Sequence, residues 1–386
     1  MRENTNFRDY YEIEQKIDEG FCSVFKAKLK NTDEKRAIKV YNKDIIRNVF
    51  KDQYFREPTS EEMKPYIDCF FNEIDNMKAT EGENNENENT VKFYEYFDTE
   101  KEFVIVMELC DENLLHFLTK GKKKNLSVYE VHKIIKDLNN TFKIMSNKKI
   151  IYRNFKLENI LIKYKNDEKT DYIVKLKLNS TNDLMRKLYK LLSSLAKKYN
   201  CNCFNAPELL ENDTNIEKCD LWSIGIIIYV LCFKGYPYNG ASEEAILAKI
   251  KKDGQKNFQK KNNSNLDDLI SKLLIKDPEK RICWEDYFNH SFFNLRNYYK
   301  IEDKSIGISG YATIYKATKI ETGELRAIKI FDKNRIRDDF RVEFFRDPFD
   351  EEMKPYIDSF YNEAKNMKIV EDKNKENKNT VKFYEY

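Results

Sequence analysis

The chain has 386 residues, 41% hydrophobic and 35% charged, enough to build cores under a heavily charged surface and long enough for two or three domains. Its 69 basic and 66 acidic residues are interspersed and leave a net charge of +3, which offers no basic face for nucleic acid. The N-terminus Met1-Arg2-Glu3-Asn4-Thr5-Asn6 lacks the apolar centre of a signal peptide, and the most apolar run, Leu221 to Phe233, is too short to span a bilayer; a soluble cytoplasmic protein is expected.

After a tail of residues 1–9, Glu12 to Ile17 and Val24 to Lys28 read as strands flanking the turn Ile17-Asp18-Glu19-Gly20-Phe21-Cys22-Ser23-Val24. Arg36 to Tyr41 reads as a third strand, carrying Ala37 and Lys39. Asn42 to Asp68 is long and charged, and Pro65 precedes a helix with Phe70, Ile74 and Met77 at helical spacing and Glu73 among them. Glu81 to Asn89 is polar and low in complexity, so a disordered loop is expected before strands Val91 to Phe97 and Phe103 to Met107. Helices follow at Asn113 to Leu118 and Val128 to Ser146. Beyond them stand Tyr152-Arg153-Asn154-Phe155-Lys156-Leu157-Glu158-Asn159-Ile160-Leu161 and a strand, Ile173 to Lys177, ending at Leu178-Asn179-Ser180.

A repeat organises the whole. At an offset of 290, residues 24–96 align without a gap to 314–386, with about 40 of 73 positions identical. Ala37-Ile38-Lys39 returns as Ala327-Ile328-Lys329, Glu73 as Glu363, and Val91 to Tyr96 as Val381 to Tyr386. A period this long marks a duplicated domain, and the second copy has no counterpart of anything after Tyr96.

These motifs, in this order, resemble those of the protein kinase superfamily. Tyr152 to Asn159 resembles the catalytic loop H-R-D-L-K-x-x-N, with Asn154 at the place of the Asp that accepts the substrate hydroxyl proton. Lys156 matches the loop lysine and Asn159 the metal-holding amide. Leu178-Asn179-Ser180 stands where D-F-G belongs, so Leu178 replaces the magnesium ligand and Asn179 the aromatic residue packed beneath the site. A shifted register offers Asp183 instead, at the cost of five further residues. The loop around Gly20 keeps only the middle glycine of G-x-G-x-x-G, and Asp18 puts negative charge near the phosphates.

By resemblance, Lys39 and Glu73 form the ion pair that meets the α and β phosphates. Glu108-Leu109-Cys110-Asp111 is the hinge beside a gatekeeper Met107, and Val24, Ala37 and Leu161 line the adenine slot. Tyr152 joins Phe93 and Met77 in an aromatic layer. Ala206-Pro207-Glu208, closing an activation segment that starts at Thr181, Asp220 to Gly225, and Asp277 to Arg281 are intact. They imply a Glu208–Arg281 pair and an Asp220 that fastens the catalytic loop. The resemblance implies an α+β bilobal kinase-like fold over residues 10–296, with a β-rich small lobe (10–109) and a helical large lobe (110–296). A truncated second small lobe follows over 297–386, where Lys329 and Glu363 belong to an incomplete site.

His116, His132 and His290 are far apart and read as surface or packing residues. The eight cysteines lack zinc or disulfide spacing, and Cys201 and Cys203 read as plain thiols. Three functions stay open. The first is a pseudokinase with at most weak ATP binding and no magnesium site, working through a protein partner such as an active kinase. The second is a Ser/Thr kinase of unusual mechanism using Lys39, Lys156 and Asn159, and the third a non-enzymatic remnant of a duplicated gene.

Overall fold

A computed structural model describes residues 2–373 apart from 4–5, 20–21, 83–85, 121–125, 170, 180–202, 212–215 and 256–257, with the side chains of 2–3, 53, 350, 361 and 364–373 also left undescribed. The last strand of the repeat, Val381 to Tyr386, lies outside the described residues, as do Gly20, Cys201 and nearly all of the activation segment. The chain divides into two units, Met1–Phe293 and Asn294–Tyr386. Among the described residues no helix is long and apolar enough to cross a membrane.

In the first unit the strands are β1 (Arg2–Glu3), β2 (Tyr11–Glu19), β3 (Ser23–Leu29), β4 (Lys35–Asn42), β5 (Phe93–Asp98) and β6 (Glu102–Glu108), forming one sheet of order β1-β5-β6-β4-β3-β2. Period-two alternation gives the sheet two apolar faces. Ile38 and Val40 pack with Ala27, Phe97, Val104 and Val106 on one side. Tyr41 turns to the other, where its ring stacks on Phe70 at 4.4 Å and Phe70 stacks on Phe103 at 5.0 Å. Residues 1–9 are not a free tail: Phe7 is buried in the first of these clusters and β1 runs parallel to β5.

Two helices follow β4, α1 (Lys43–Tyr54) and α2 (Ser60–Glu81), and α2 lays Phe70 on the second face. Pro65 does not precede α2 but lies inside it. A proline there leaves the Glu61 carbonyl without its helical donor, a cost of about 3 kcal/mol. Two features outweigh it: Thr59 and Glu62 close a capping box at the helix start, and Met63, which only an earlier start can turn inward, is buried with Cys69, Phe70, Ile74 and Met77, each apolar side chain contributing about 1.5–3 kcal/mol.

The described end of the polar insert after α2 is packed, where composition alone predicts a disordered loop. Asn87, Asn89 and Thr90 are buried. Asn87 Nδ2 donates to the Thr80 carbonyl (2.7 Å) and Thr141 Oγ1 (2.9 Å), and Asn89 Nδ2 donates to the Val174 carbonyl (2.9 Å) while its Oδ1 accepts from Asn140 (2.9 Å). Asparagine suits this junction because its amide offers both donors and acceptors to the backbone.

The helical part of this unit begins after the short strand β7 (Glu112–Asn113), with α3 (Leu114–Lys120) and α4 (Val128–Asn147). β7, β8 (Ile160–Tyr164) and β9 (Tyr172–Leu176) form a small antiparallel sheet. The helix Cys219–Phe233 is buried on every side. Gly225 belongs to it by necessity, since a Cβ there would sit 2.8 Å from that of Leu273.

The second unit contains β10 (Tyr299–Ser309), β11 (Ala312–Lys319) and β12 (Leu325–Phe331), followed by the helices Lys333–Phe344 and Asp350–Lys373. The order and register repeat those of β2 to α2: Ile314 pairs with Lys329 as Val24 does with Lys39. Phe345 ends its helix in the left-handed region at φ 55° as Phe55 does at 57°. The repeat starts earlier than the gapless alignment implied, because Asn294 caps Leu295–Asn297 as Asn6 caps Phe7–Asp9. That offset is 288, and the eleven residues of β10 against nine in β2 account for the other two.

Lys329 Nζ meets Glu363 Oε1 at 2.5 Å, yet these side chains are 27% and 49% exposed, where those of Lys39 and Glu73 are 4% and 1% exposed. β12 has no neighbour corresponding to β6 among the described residues. The same pair thus stands in two dielectric surroundings. Lys39→Ala is expected to cost about 3–5 kcal/mol, because it strands a buried carboxylate, and Lys329→Ala less than about 1 kcal/mol. Urea unfolding of the two variants checks this; equal losses would show that burial does not govern the pair.

Candidate nucleotide site

Lys39 shares the inward face of β4 with Tyr41, so strand alternation aims it at α2. Its ammonium group donates to Glu73 Oε1 (2.7 Å), whose second oxygen accepts from the Tyr41 hydroxyl (2.5 Å). The pair expected from sequence is therefore formed and buried. Tyr41 is a partner that sequence reading missed, although its place two residues after Lys39 carried the signal.

Asp220, at the start of the buried helix, holds the catalytic-loop segment. Its carboxylate accepts from the backbone N–H groups of Tyr152 and Arg153, both at 2.7 Å, and Arg153 is bent into the left-handed region at φ 59°. Two donors on one carboxylate secure an otherwise unfavourable backbone turn. Behind the loop, Arg281 spends all five of its N–H donors: two on Glu208 (2.6 and 2.9 Å) and the others on the carbonyls of Ile275, Lys218 and Lys276. Both arrangements match the resemblance.

The end of β9 corrects it. Leu178 is buried, whereas the next residue, Asn179, enters the site: its Oδ1 accepts from Lys39 Nζ at 2.8 Å and its Nδ2 donates to Asn159 Oδ1 at 3.1 Å. Asn159 Nδ2 in turn donates to the Asn154 carbonyl at 2.8 Å. Asn179 does not fill the aromatic position beneath the site. An alkyl group gains nothing beside an ammonium ion and an amide does, so the leucine takes the core and the asparagine the polar side. The amide orientations follow from the two ends, since Lys39 can only donate and a carbonyl can only accept. Tyr152 is buried as expected, with its ring 4.7 Å from that of Phe155 and its hydroxyl donating to the Lys177 carbonyl at 2.5 Å. Met77 is also buried, while Phe93 is partly exposed under Lys78.

Asn154 and Lys156 are half-buried on the loop, Asn154 presenting an amide where the family has a carboxylate. Val24 and Ala37 are buried on β3 and β4, and Leu161 lies half-buried on β8. Met107 is buried next to Glu108 at the end of β6. Glu108 is more than a backbone contact: its carboxylate pairs with Lys175 (3.0 Å) and Lys163. Burial opposes its ionisation, but the two lysines overcome this and hold the carboxyl below the usual range. Burial pushes the Cys110 thiol up to about 12 and raises that of Cys22. Asp18, on β2, accepts from the Glu19 N–H at 2.9 Å.

The histidines are apart, as expected. His116 meets Glu112, His290 Nε2 lies 2.9 Å from Asp268, and His132 packs against Phe292 and Phe293, where burial takes its pKa down to about 3. Among the described residues no three His, Cys, Asp or Glu side chains group as a metal site.

Comparison with known proteins agrees with this geometry. The family described as protein kinase domain matches residues 11–293. The chain is 29% identical over 298 residues to calcium-dependent protein kinase 5 of Plasmodium falciparum (isolate 3D7), covering 76% of this chain and 47% of that protein. To calcium-dependent protein kinase 4 of Plasmodium berghei (strain Anka) it is 28% identical over 298 residues, covering 76% and 51%. To serine/threonine-protein kinase 33 of Bos taurus it is 27% identical over 225 residues, covering 57% and 45%. The chain spans about half the length of the curated relatives it matches. With a sheet-based small lobe, a helical large lobe and a catalytic-loop segment held by Asp220 between them, the chain belongs to the protein kinase family.

Proposed function

We propose that this kinase domain has given up phosphate transfer and works by binding, as a pseudokinase whose partner is a protein, with an active kinase the leading candidate. The observation that carries the reading is the run of hydrogen bonds from Lys39 through Asn179 and Asn159 to the Asn154 carbonyl. Phosphoryl transfer needs a base at the attacking hydroxyl and magnesium on the phosphates. Asn154 supplies no base. Magnesium wants oxygen ligands, and here the Asn179 oxygen is spent on Lys39, the Asn159 oxygen on Asn179, and Leu178 is alkyl and buried. The residues present do not fit that metal. The adenine slot and the Lys39–Glu73 pair support weak ATP binding.

A second reading, a serine/threonine kinase of unusual mechanism, is favoured by the intact Lys39–Glu73 pair and the anchored loop. Incubating the chain with labelled ATP, magnesium or manganese and a generic protein substrate separates the two. Incorporation should not exceed that of the Lys39→Ala variant; robust transfer that Lys39→Ala abolishes would establish the second reading. We read the second unit as a second small-lobe sheet in which, among the described residues, the outer edge of β12 carries no partner strand and is open to association.

A further inference from the structure

Three lysines stand on separate elements around the catalytic loop: Lys39 on β4, Lys156 on the loop itself, and Lys177 at the first position beyond β9. Lys39 is committed to Glu73 and Asn179. The ammonium groups of Lys156 and Lys177 have no hydrogen-bond or ion-pair partner among the described residues. The Lys177 backbone is fixed at both ends, its N–H donating to the Asn159 carbonyl at 2.9 Å and its own carbonyl accepting from Tyr152. Its side chain therefore leaves from a set point beside the old metal position. The charged groups around it are Lys39, Asp18 and Lys156, together with the Cys22 thiol.

We propose that this cleft takes a nucleoside triphosphate free of divalent metal, with the Lys177 ammonium supplying positive charge to the phosphates where a magnesium ion would otherwise stand. The proposal rests on the non-catalytic reading of the site. Lys156 and Lys177 bring two unpartnered positive charges, as many as a magnesium ion carries. Burial, and after it the nearness of Lys39, push the Lys177 pKa down, which is the condition of a cation short of a counter-ion. A polyphosphate supplies that counter-ion, and Val24, Ala37 and Leu161 provide the slot for a base. Asp18 works against it as a carboxylate near the same place.

Calorimetric titration of the full chain with ATP, adenosine and inorganic tripolyphosphate, in EDTA and in magnesium, tests the assignment. ATP should bind in EDTA no more weakly than in magnesium, and better than tripolyphosphate. Lys177→Gln should weaken ATP about tenfold or more while leaving adenosine within about twofold, and Lys177→Arg should keep ATP within about threefold. Asp18→Asn should tighten ATP about threefold. Unliganded unfolding midpoints of the variants verify that they fold. If Lys177→Gln weakens ATP and adenosine alike, or neither, the role of Lys177 is refuted. Absence of ATP binding in EDTA overturns this inference and leaves the non-catalytic reading standing. Phosphate transfer by the unmodified chain overturns that reading, and this inference with it.

Discussion

Restoring the catalytic aspartate alone, by Asn154→Asp, leaves phosphotransfer at background, and Leu178→Asp leaves it there too; activity emerges only when Asn154→Asp is combined with Asn179→Asp. Alignment would choose Leu178 for the metal ligand. The structure chooses Asn179, because its side chain faces Lys39 and Asn159. A carboxylate at 179 turns the hydrogen bond from Lys39 into a salt link and, having no N–H to give, releases the Asn159 oxygen. At 178 it would be a charge buried without a partner, costing several kcal/mol and reaching nothing. A positioned base is worth about 10²–10⁴ in rate, so the double variant should exceed background by about 10² or more, read as labelled phosphate on a protein substrate. Equal or greater activity from Asn154→Asp with Leu178→Asp would refute the placement of Asn179.

Arg281→Ala is expected to lower stability by about 3–5 kcal/mol. It leaves the buried Glu208 carboxylate and the carbonyls of Ile275 and Lys276 without the guanidinium donors, while the Lys218 carbonyl keeps only the Trp222 N–H, and breaking one side of a buried pair costs more than the pair contributes. Arg281→Lys should recover only part of this, since a single ammonium group cannot reproduce a planar fork of five donors. For a domain of this size the loss corresponds to roughly 6–20 °C in the unfolding midpoint, measured by thermal melting of the full chain. A shift within about 2 °C would show that Glu208 finds another partner, and the anchoring role would fall.

Legibility in the sequence depended on whether a residue's partner is set by periodicity. Lys39 and Glu73 were readable because they stand at the positions of the family's ion pair, on a strand and a helix that aim both inward. Glu208, Arg281 and Asp220 were readable because their motifs are intact. The choice between Leu178 and Asn179 was not, since adjacent residues at a strand end can exchange faces with one small twist, and only the surroundings decide which goes to the core. The insert was misread for a different reason: composition reports that Asn87 and Asn89 are polar, not whether water or the backbone satisfies them. Pro65 concealed the true start of α2, whose capping box lies upstream at Thr59 and Glu62.

The buried asparagine junction also sets a time scale. The Val91 N–H donates to the Leu176 carbonyl and the Leu176 N–H to that of Asn89, so the sheet-based lobe is stitched to β9 by backbone bonds lying next to the Asn87, Asn89 and Thr141 network. Glu108, held by Lys163 and Lys175, adds a second fastening nearby. If one lobe swings against the other only by rupturing these contacts together, breathing of the cleft is a rare cooperative event, and exchange rates test this. In deuterium exchange the amides of Val91 and Leu176 should be as slow as those of the helix Cys219–Phe233, opening only when the whole unit does. A kinase that cycles must close and reopen at every turnover. Slow exchange at both amides is what the proposed binding role expects, and fast exchange at either would count against it.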